Sequence, residues 1–112
     1  MKRTQLLKGI LEGCVLLVIS EKEMYGYELV QHLKSYGFED IVGGTVYPLL
    51  QKLEKKAYLS SIMKPSKNGP DRKYYQITSL GIVYCQEFTE HWEDLSHSVN
   101  ALISMKGRYL NE

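Results

Sequence analysis

The chain has 112 residues, 44% hydrophobic and 24% charged, with a net charge of +1. These values suit one globular domain with a modest core, and internal repeats, low-complexity tracts and linkers are absent. The apolar run at 10–19, "ILEGCVLLVI", is interrupted by Glu12 and Gly13 and too short to span a bilayer, and no signal peptide is visible. A cytoplasmic protein with no membrane partner is expected.

Charge is unevenly spread. Residues 43–73 hold Lys52, Lys55, Lys56, Lys64, Lys67, Arg72 and Lys73 against only Glu54 and Asp71, a net of +5. Residues 1–42 and 86–112 carry nets of −1 and −3. One part of the surface should therefore attract a polyanion although the total is near neutral.

In chain order, the spacing of Leu7, Ile10, Leu11, Cys14, Val15 and Val18 predicts a first helix over about 4–20 with a buried stripe. Leu6, Leu17 and Ile19 widen its apolar surface beyond what one small domain needs. A second helix over about 27–36 buries Leu29, Val30 and Leu33, and Gly37 stops it. Gly43 and Gly44 read as a flexible entry to the third helix, "TVYPLLQKLEKKA". Here Val46, Leu49, Leu50, Leu53 and Ala57 keep the helical rule, Thr45 is the expected N-cap, and Pro48 falls in the first turn. Its other face presents Tyr47, Gln51, Lys52, Lys55 and Lys56.

"YLSSIMK" and "RKYYQIT" flank the polar tip "PSKNGPD" and predict a hairpin. Strand alternation puts Lys73, Tyr75 and Ile77 on one face and Arg72, Tyr74 and Gln76 on the other. Tyr75 and Ile77 are expected to face inward. Tyr74 stays open between touching a phosphate and bracing the hairpin. Thr78 or Ser79 should cap a last helix reaching about residue 108. Along it Cys85, Phe88, Trp92, Leu95, Val99 and Leu102 step by three and four, a heptad seam. A helix of that length, about 45 Å, outruns the unit before it. The expected cover is a second subunit, with Leu6, Ile10 and Leu17 of the first helix completing the interface.

Three helices and a two-stranded hairpin give the order of a winged helix-turn-helix, with a basic third helix and a basic tip. The fold expected is mainly α with a small β-hairpin. Residues 1–78 would form the winged-helix domain, and 79–112 a C-terminal dimerisation helix packed with the first helix. Enzyme chemistry finds no support. No GxSxG, HExxH or phosphate-loop pattern occurs, and His91 and His97 lie on different helical faces. No catalytic residue, metal or cofactor is expected. Cys14 and Cys85 show no CxxC spacing and read as reduced packing residues; a disulfide is the less favoured alternative.

Three stretches, "MYGYELVQHL", "GGTVYPLLQKLEKKAYL" and "NGPDRKYYQITSLG", resemble in order and spacing the hallmarks of the PadR family of bacterial transcriptional regulators. The likeness covers about residues 7–92, and the single C-terminal helix resembles the small subfamily. It implies a homodimeric repressor of a pseudo-palindromic operator in double-stranded DNA. It also implies DNA contacts from Thr45, Tyr47 and the neighbouring third-helix lysines, Lys52 and Lys55 among them, and from Lys67, Arg72 and Lys73 on the wing. Gln51, on the same outer face of the third helix, is expected to join them. Tyr25 and Tyr27 would lie near the DNA backbone. The chain departs from the family at Ala57, where a glycine usually ends the third helix. An alanine there should resist a left-handed cap, so that the exit differs or the helix runs on. Trp92 keeps two readings: packing in the dimer seam, which its position favours, or lining an interfacial pore for a planar aromatic effector, as in some small family members. A winged-helix module that docks a protein instead of DNA is the alternative from another class.

Overall fold

A computed structural model describes the backbone of residues 1–110 and the side chains of 1–106. Its order is α1 (Arg3–Leu7), α2 (Leu11–Glu21), β1 (Met24–Tyr25), α3 (Gly26–Ser35), α4 (Gly43–Lys55), β2 (Leu59–Ser66), β3 (Gly69–Ile77) and α5 (Ser79–Leu110). The strands form one antiparallel sheet in the order β1-β3-β2. The fold is a winged helix: mainly helical, with a three-stranded sheet where the sequence predicts two strands. The segment assigned to residues 79–112 ends, at 111–112, outside the described residues.

The core lies where α2, α3 and α4 meet the inner face of the sheet. Val15, Leu16, Leu29, Leu33, Val46, Leu50 and Leu53 are wholly covered, with Met24, Leu59 and Tyr75 closing it from the strands. Each buried leucine contributes about 1.5–3 kcal/mol over leaving it in water. The predicted first helix is broken. Residues 8–10 form a turn, with the Ile10 amide donating to the Leu7 carbonyl, so α1 and α2 are separate pieces. The buried stripe is also rotated from the expected one. Leu7, Leu11, Val15, Leu16 and Ile19 are buried, whereas Ile10, Cys14 and Val18 are half-buried.

Both helix-turn-helix segments end in the same device. After α3, Gly37 takes φ 103°, its amide donates to Lys34 O, and the Phe38 amide reaches Leu33 O. After α4, Ala57 takes φ 66°, its amide donates to Glu54 O, and the Tyr58 amide reaches Leu53 O. These are paired Schellman caps. The alanine therefore adopts the left-handed conformation that the family's usual glycine takes freely, at a cost of about 1–2 kcal/mol, and neither the exit changes nor the helix runs on.

Thr78 joins the wing to α5. Its Oγ1 accepts the Gly81 amide at 3.0 Å as N-cap and donates toward Ala57 O at 2.7 Å. The helix then runs 32 residues, about 48 Å, which gives the molecule its 56 Å long axis. Among the described residues its first part is the best covered by its own chain: Cys85 is buried, and the Phe88 ring sits over Gly13 of α2 where a Cβ would be 2.3 Å away. Beyond Phe88, Trp92, Leu95, Val99, Leu102, Ile103 and Met105 are exposed. Among the described residues no helix is long and apolar enough to cross a membrane.

Candidate nucleic-acid interface

Helix α4 starts three residues earlier than its pattern predicts. Val42 is the N-cap position, and Gly43, Gly44 and Thr45 form the first turn, so Thr45 is not the cap. Pro48 accordingly lies inside the helix, in its second turn. Its missing N–H leaves the carbonyl of Gly44, an exposed residue, without the usual partner. The glycines are not a loose entry. A Cβ on Gly43 would meet the Tyr47 ring at 2.7 Å, and one on Gly26, at the start of α3, would meet it at 2.2 Å. Tyr47 is thus seated between two glycines of different helices, with the residue 46% exposed. The two motifs that carry Gly26 and Gly43 are coupled through this one side chain.

With Val46, Leu50 and Leu53 inward, α4 turns Thr45, Tyr47, Gln51, Lys52, Lys55 and Lys56 to the exterior. The expected outer stripe is therefore present. The wing stands beside it. Ser66 pairs with Gly69 across the tight turn at Lys67 and Asn68, and the register slips between Lys64 and Ser66. The polar tip is consequently shorter than predicted and Pro65 and Ser66 belong to β2. Lys67 and Arg72 are exposed.

The two-residue strand β1 has no sequence pattern of its own and exists through pairing with β3: Met24 opposite Tyr75, Tyr25 opposite Tyr74. This places Tyr25 5.3 Å from Tyr74 and 6.4 Å from Tyr27, centroid to centroid. The Arg72 guanidinium lies 4.5 Å over the Tyr25 ring, and the Lys64 ammonium 4.9 Å over Tyr74. Tyr74 is thus a brace within an aromatic and cationic row on the outer sheet face. Tyr25 also opens α3, where its amide donates to Glu28 Oε1 at 3.2 Å. A shallow depression brings together Tyr25, Tyr27, Tyr47, Arg72 and Lys73. Tyrosines and an arginine line it, residue types that bind phosphate oxygens.

The inner sheet face holds the other wing cation. Lys73 pairs with Glu54 of α4 at 2.8 Å, and Ser61 Oγ of β2 donates to the same carboxylate. Lys73 holds Glu54 below the ordinary carboxylate range, with Ser61 assisting, and Glu54 in turn raises the Lys73 ammonium. Lys52 reaches back to Glu12 of α2 at 2.8 Å and holds that carboxylate down as well. Lys64 pairs with Glu23. Partly exposed pairs of this kind contribute about 0.2–1 kcal/mol each. Sequence reasoning missed all three, because Glu12, Glu23 and Glu54 each sit far along the chain from the lysine they meet and nothing local marks the pairing.

Of the residues assigned to a dimer seam, Leu6, Ile10, Trp92, Leu95 and Val99 line one apolar groove of about 320 Å³. Leu102 lies further along α5. Leu17 opens onto a different groove, with Cys14, Val18, Leu33, Tyr36 and Phe38, and Phe88 packs within its own chain. Cys14 and Cys85 are free thiols that burial pushes up. Among the described residues no group of three or more His, Cys, Asp or Glu side chains is placed to hold a metal ion.

The model of the transcriptional regulator PadR-like family matches residues 15–87. The chain is similar to a Streptococcus transcriptional regulator of known structure, with 54% identity and a TM-score of 0.78 over 88% of this chain and 96% of that one. A PadR-like transcriptional regulator from Bacillus cereus is similar at 44% identity and a TM-score of 0.81, over 88% and 96%. An uncharacterised protein of Lysinibacillus sphaericus is 33% identical over 89% of this chain and 94% of its own length. With a winged helix, a basic α4 and wing, and a family match over most of its length, the chain belongs to the PadR-like family of DNA-binding transcriptional regulators, which are not enzymes.

Proposed function

We propose that this protein is a homodimeric repressor acting in the cytoplasm on a pseudo-palindromic operator. The observation that carries the reading is the pairing of two unfinished surfaces. One is the polar stripe of α4 beside the wing; the other is the apolar length of α5 beyond Phe88. Thr45, Tyr47, Gln51 and Lys55 enter the major groove, Lys67 and Arg72 take backbone phosphates, and Tyr25 and Tyr27 lie along the adjoining strand. Lys52 and Lys73 belong to the same face but are ion-paired before DNA arrives.

Leu6, Ile10, Trp92, Leu95, Val99 and Leu102 meet a second copy, residues 79–112 serving as the dimerisation helix and 1–78 as the DNA-binding unit. Trp92, 48% exposed in its groove, suits a planar aromatic effector whose binding would loosen the operator complex. Such an effector should quench Trp92 fluorescence and weaken DNA binding together. The deciding experiment is selection of bound duplexes from a random DNA pool. The reading expects an inverted repeat with half-sites about 34 Å apart; absence of any enriched repeat at low salt would defeat it.

A further inference from the structure

Residues 43–73 hold seven of the chain's cations, yet the fold does not leave all seven available. Among the described residues every ion pair uses one of them: Lys52 with Glu12, Lys64 with Glu23 and Lys73 with Glu54. Lys55, Lys56, Lys67 and Arg72 have no such partner there. Two of the acids are brought in from outside the basic segment, from α2 and from the approach to β1. The third, Glu54, sits in the last turn of α4 and is fixed from two strands at once, by Ser61 and Lys73. Between α4 and the wing lies an open depression lined by Pro48, Gln51, Lys52, Glu54, Lys55 and Lys73. A phosphate there would meet three ammonium groups, two of which are already engaged, and one carboxylate.

We infer that Glu54 and Glu12 are internal counterions that withhold Lys73 and Lys52 from DNA phosphates, and so set how loosely the protein holds DNA irrespective of sequence. The physical basis is counterion release. Sequence-independent affinity grows with the number of cations that replace salt ions at phosphates. A lysine already neutralised by a carboxylate at 2.8 Å releases nothing unless the phosphate first displaces that carboxylate. Withholding two cations per chain lowers the term common to all DNA and leaves base-reading side chains untouched, which raises discrimination. Glu54 and Glu12 are specificity-determining positioning residues; neither touches bases. The inference rests on the reading that α4 and the wing face DNA.

The test measures binding of the full-length protein to a mixed-sequence duplex between 50 and 200 mM salt. Glu54→Gln keeps an oxygen for Ser61 but removes the charge that holds Lys73. It should tighten binding and steepen the log–log salt slope by about 0.9 per chain. The gain at 50 mM should thus exceed the gain at 200 mM by about 3.5-fold for each cation released. In a Lys73→Ala background the same change should leave the slope where it was. Glu12→Gln and Lys52→Ala form an independent pair with the same expectation, and they decide the matter if Glu54→Gln folds poorly. Weaker binding or an unchanged slope in the folded single variants would overturn the inference. So would an equal steepening when the lysine is absent, since the carboxylate would then act only through its long-range field. If Lys67→Ala with Arg72→Ala leaves DNA binding untouched, it is the placement of the DNA face that fails, not the counterion inference.

Discussion

Around α4, Val46, Leu50 and Leu53 are wholly covered, while along α5 beyond Phe88 the side chains of Trp92, Leu95, Val99 and Leu102 stand between 48% and 63% exposed. The first region is finished as a single chain: its apolar face is filled, and what it shows outward is charge, amide and hydroxyl. The second region repeats the same spacing but, among the described residues, meets only Leu6 and Ile10 along one side of an open groove and is left largely uncovered. The contrast separates two uses of one pattern. Where the spacing is short and flanked by packed elements it builds a core. Where it outruns them it leaves an apolar face of the kind that marks an association surface.

Identical substitutions at the two ends probe that contrast most strongly. Leu50→Ala should cost about 2–5 kcal/mol of stability, through lost burial and the cavity left behind, read by chemical denaturation. Leu95→Ala should cost little at that level in dilute protein, yet shift the concentration dependence of self-association measured by analytical ultracentrifugation. Equal losses at both positions would remove the distinction between core and seam.

A smaller effect is expected at the seat of Tyr47. Gly26→Ala places a Cβ 2.2 Å from its present ring position, so the ring must shift, at about 1–3 kcal/mol, and DNA affinity should fall with it. If affinity is unchanged, Tyr47 is not held for DNA.

Ala57→Gly should stabilise the protein by about 1 kcal/mol, because the φ of 66° costs glycine nothing. Only the wing-side cap should respond. The matching cap after α3 already carries Gly37 at φ 103°, where Gly37→Ala should destabilise by a similar amount.

The smallest effect is with pH. Glu54 and Glu12 have folded-state values lowered by Lys73 and Lys52. Their contribution is complete above the unfolded carboxylate value of about 4.3. It is lost only as the pH falls through the lower folded values. A titration of stability from pH 8 to 5 should therefore show no step from these pairs, and Glu54→Gln should flatten the acid limb below pH 4.3.

How much of this was legible in the sequence differs between the same two regions. Around α4 the apolar positions Val46, Leu50 and Leu53, the stop at Gly37, the inward Tyr75 and Ile77 and the cap at Thr78 follow local rules that hold in the fold. Ala57, expected on the same stripe, is exposed beyond the end of α4. The surplus of α5 was legible for the same reason: its length and spacing are local quantities. Strand β1 was not, since two residues carry no alternation and only the β3 edge makes Met24–Tyr25 a strand. Gly43 was misread because its reason is a ring, Tyr47, that a second helix also meets through Gly26; Gly44 faces open space and simply continues the first turn of α4. The N-cap at Thr45 failed with them, as the helix could begin earlier once the glycines joined it. Ala57 kept a left-handed cap against its propensity because the two amide bonds to Glu54 and Leu53 carbonyls satisfy the end of α4. The ion pairs of Glu12 and Glu23 are tertiary facts with no local trace, and they change which lysines are free.

The central claim is that α4 and the wing meet DNA through cations that the fold leaves unpaired. Its most direct measurement is the salt dependence of duplex binding by the double variant Lys67→Ala, Arg72→Ala. The slope of log affinity against log salt should flatten by about 1.8 per chain, at about 0.9 for each phosphate no longer neutralised, on the enriched operator and on mixed-sequence DNA alike. An unchanged slope with the fold intact would contradict it.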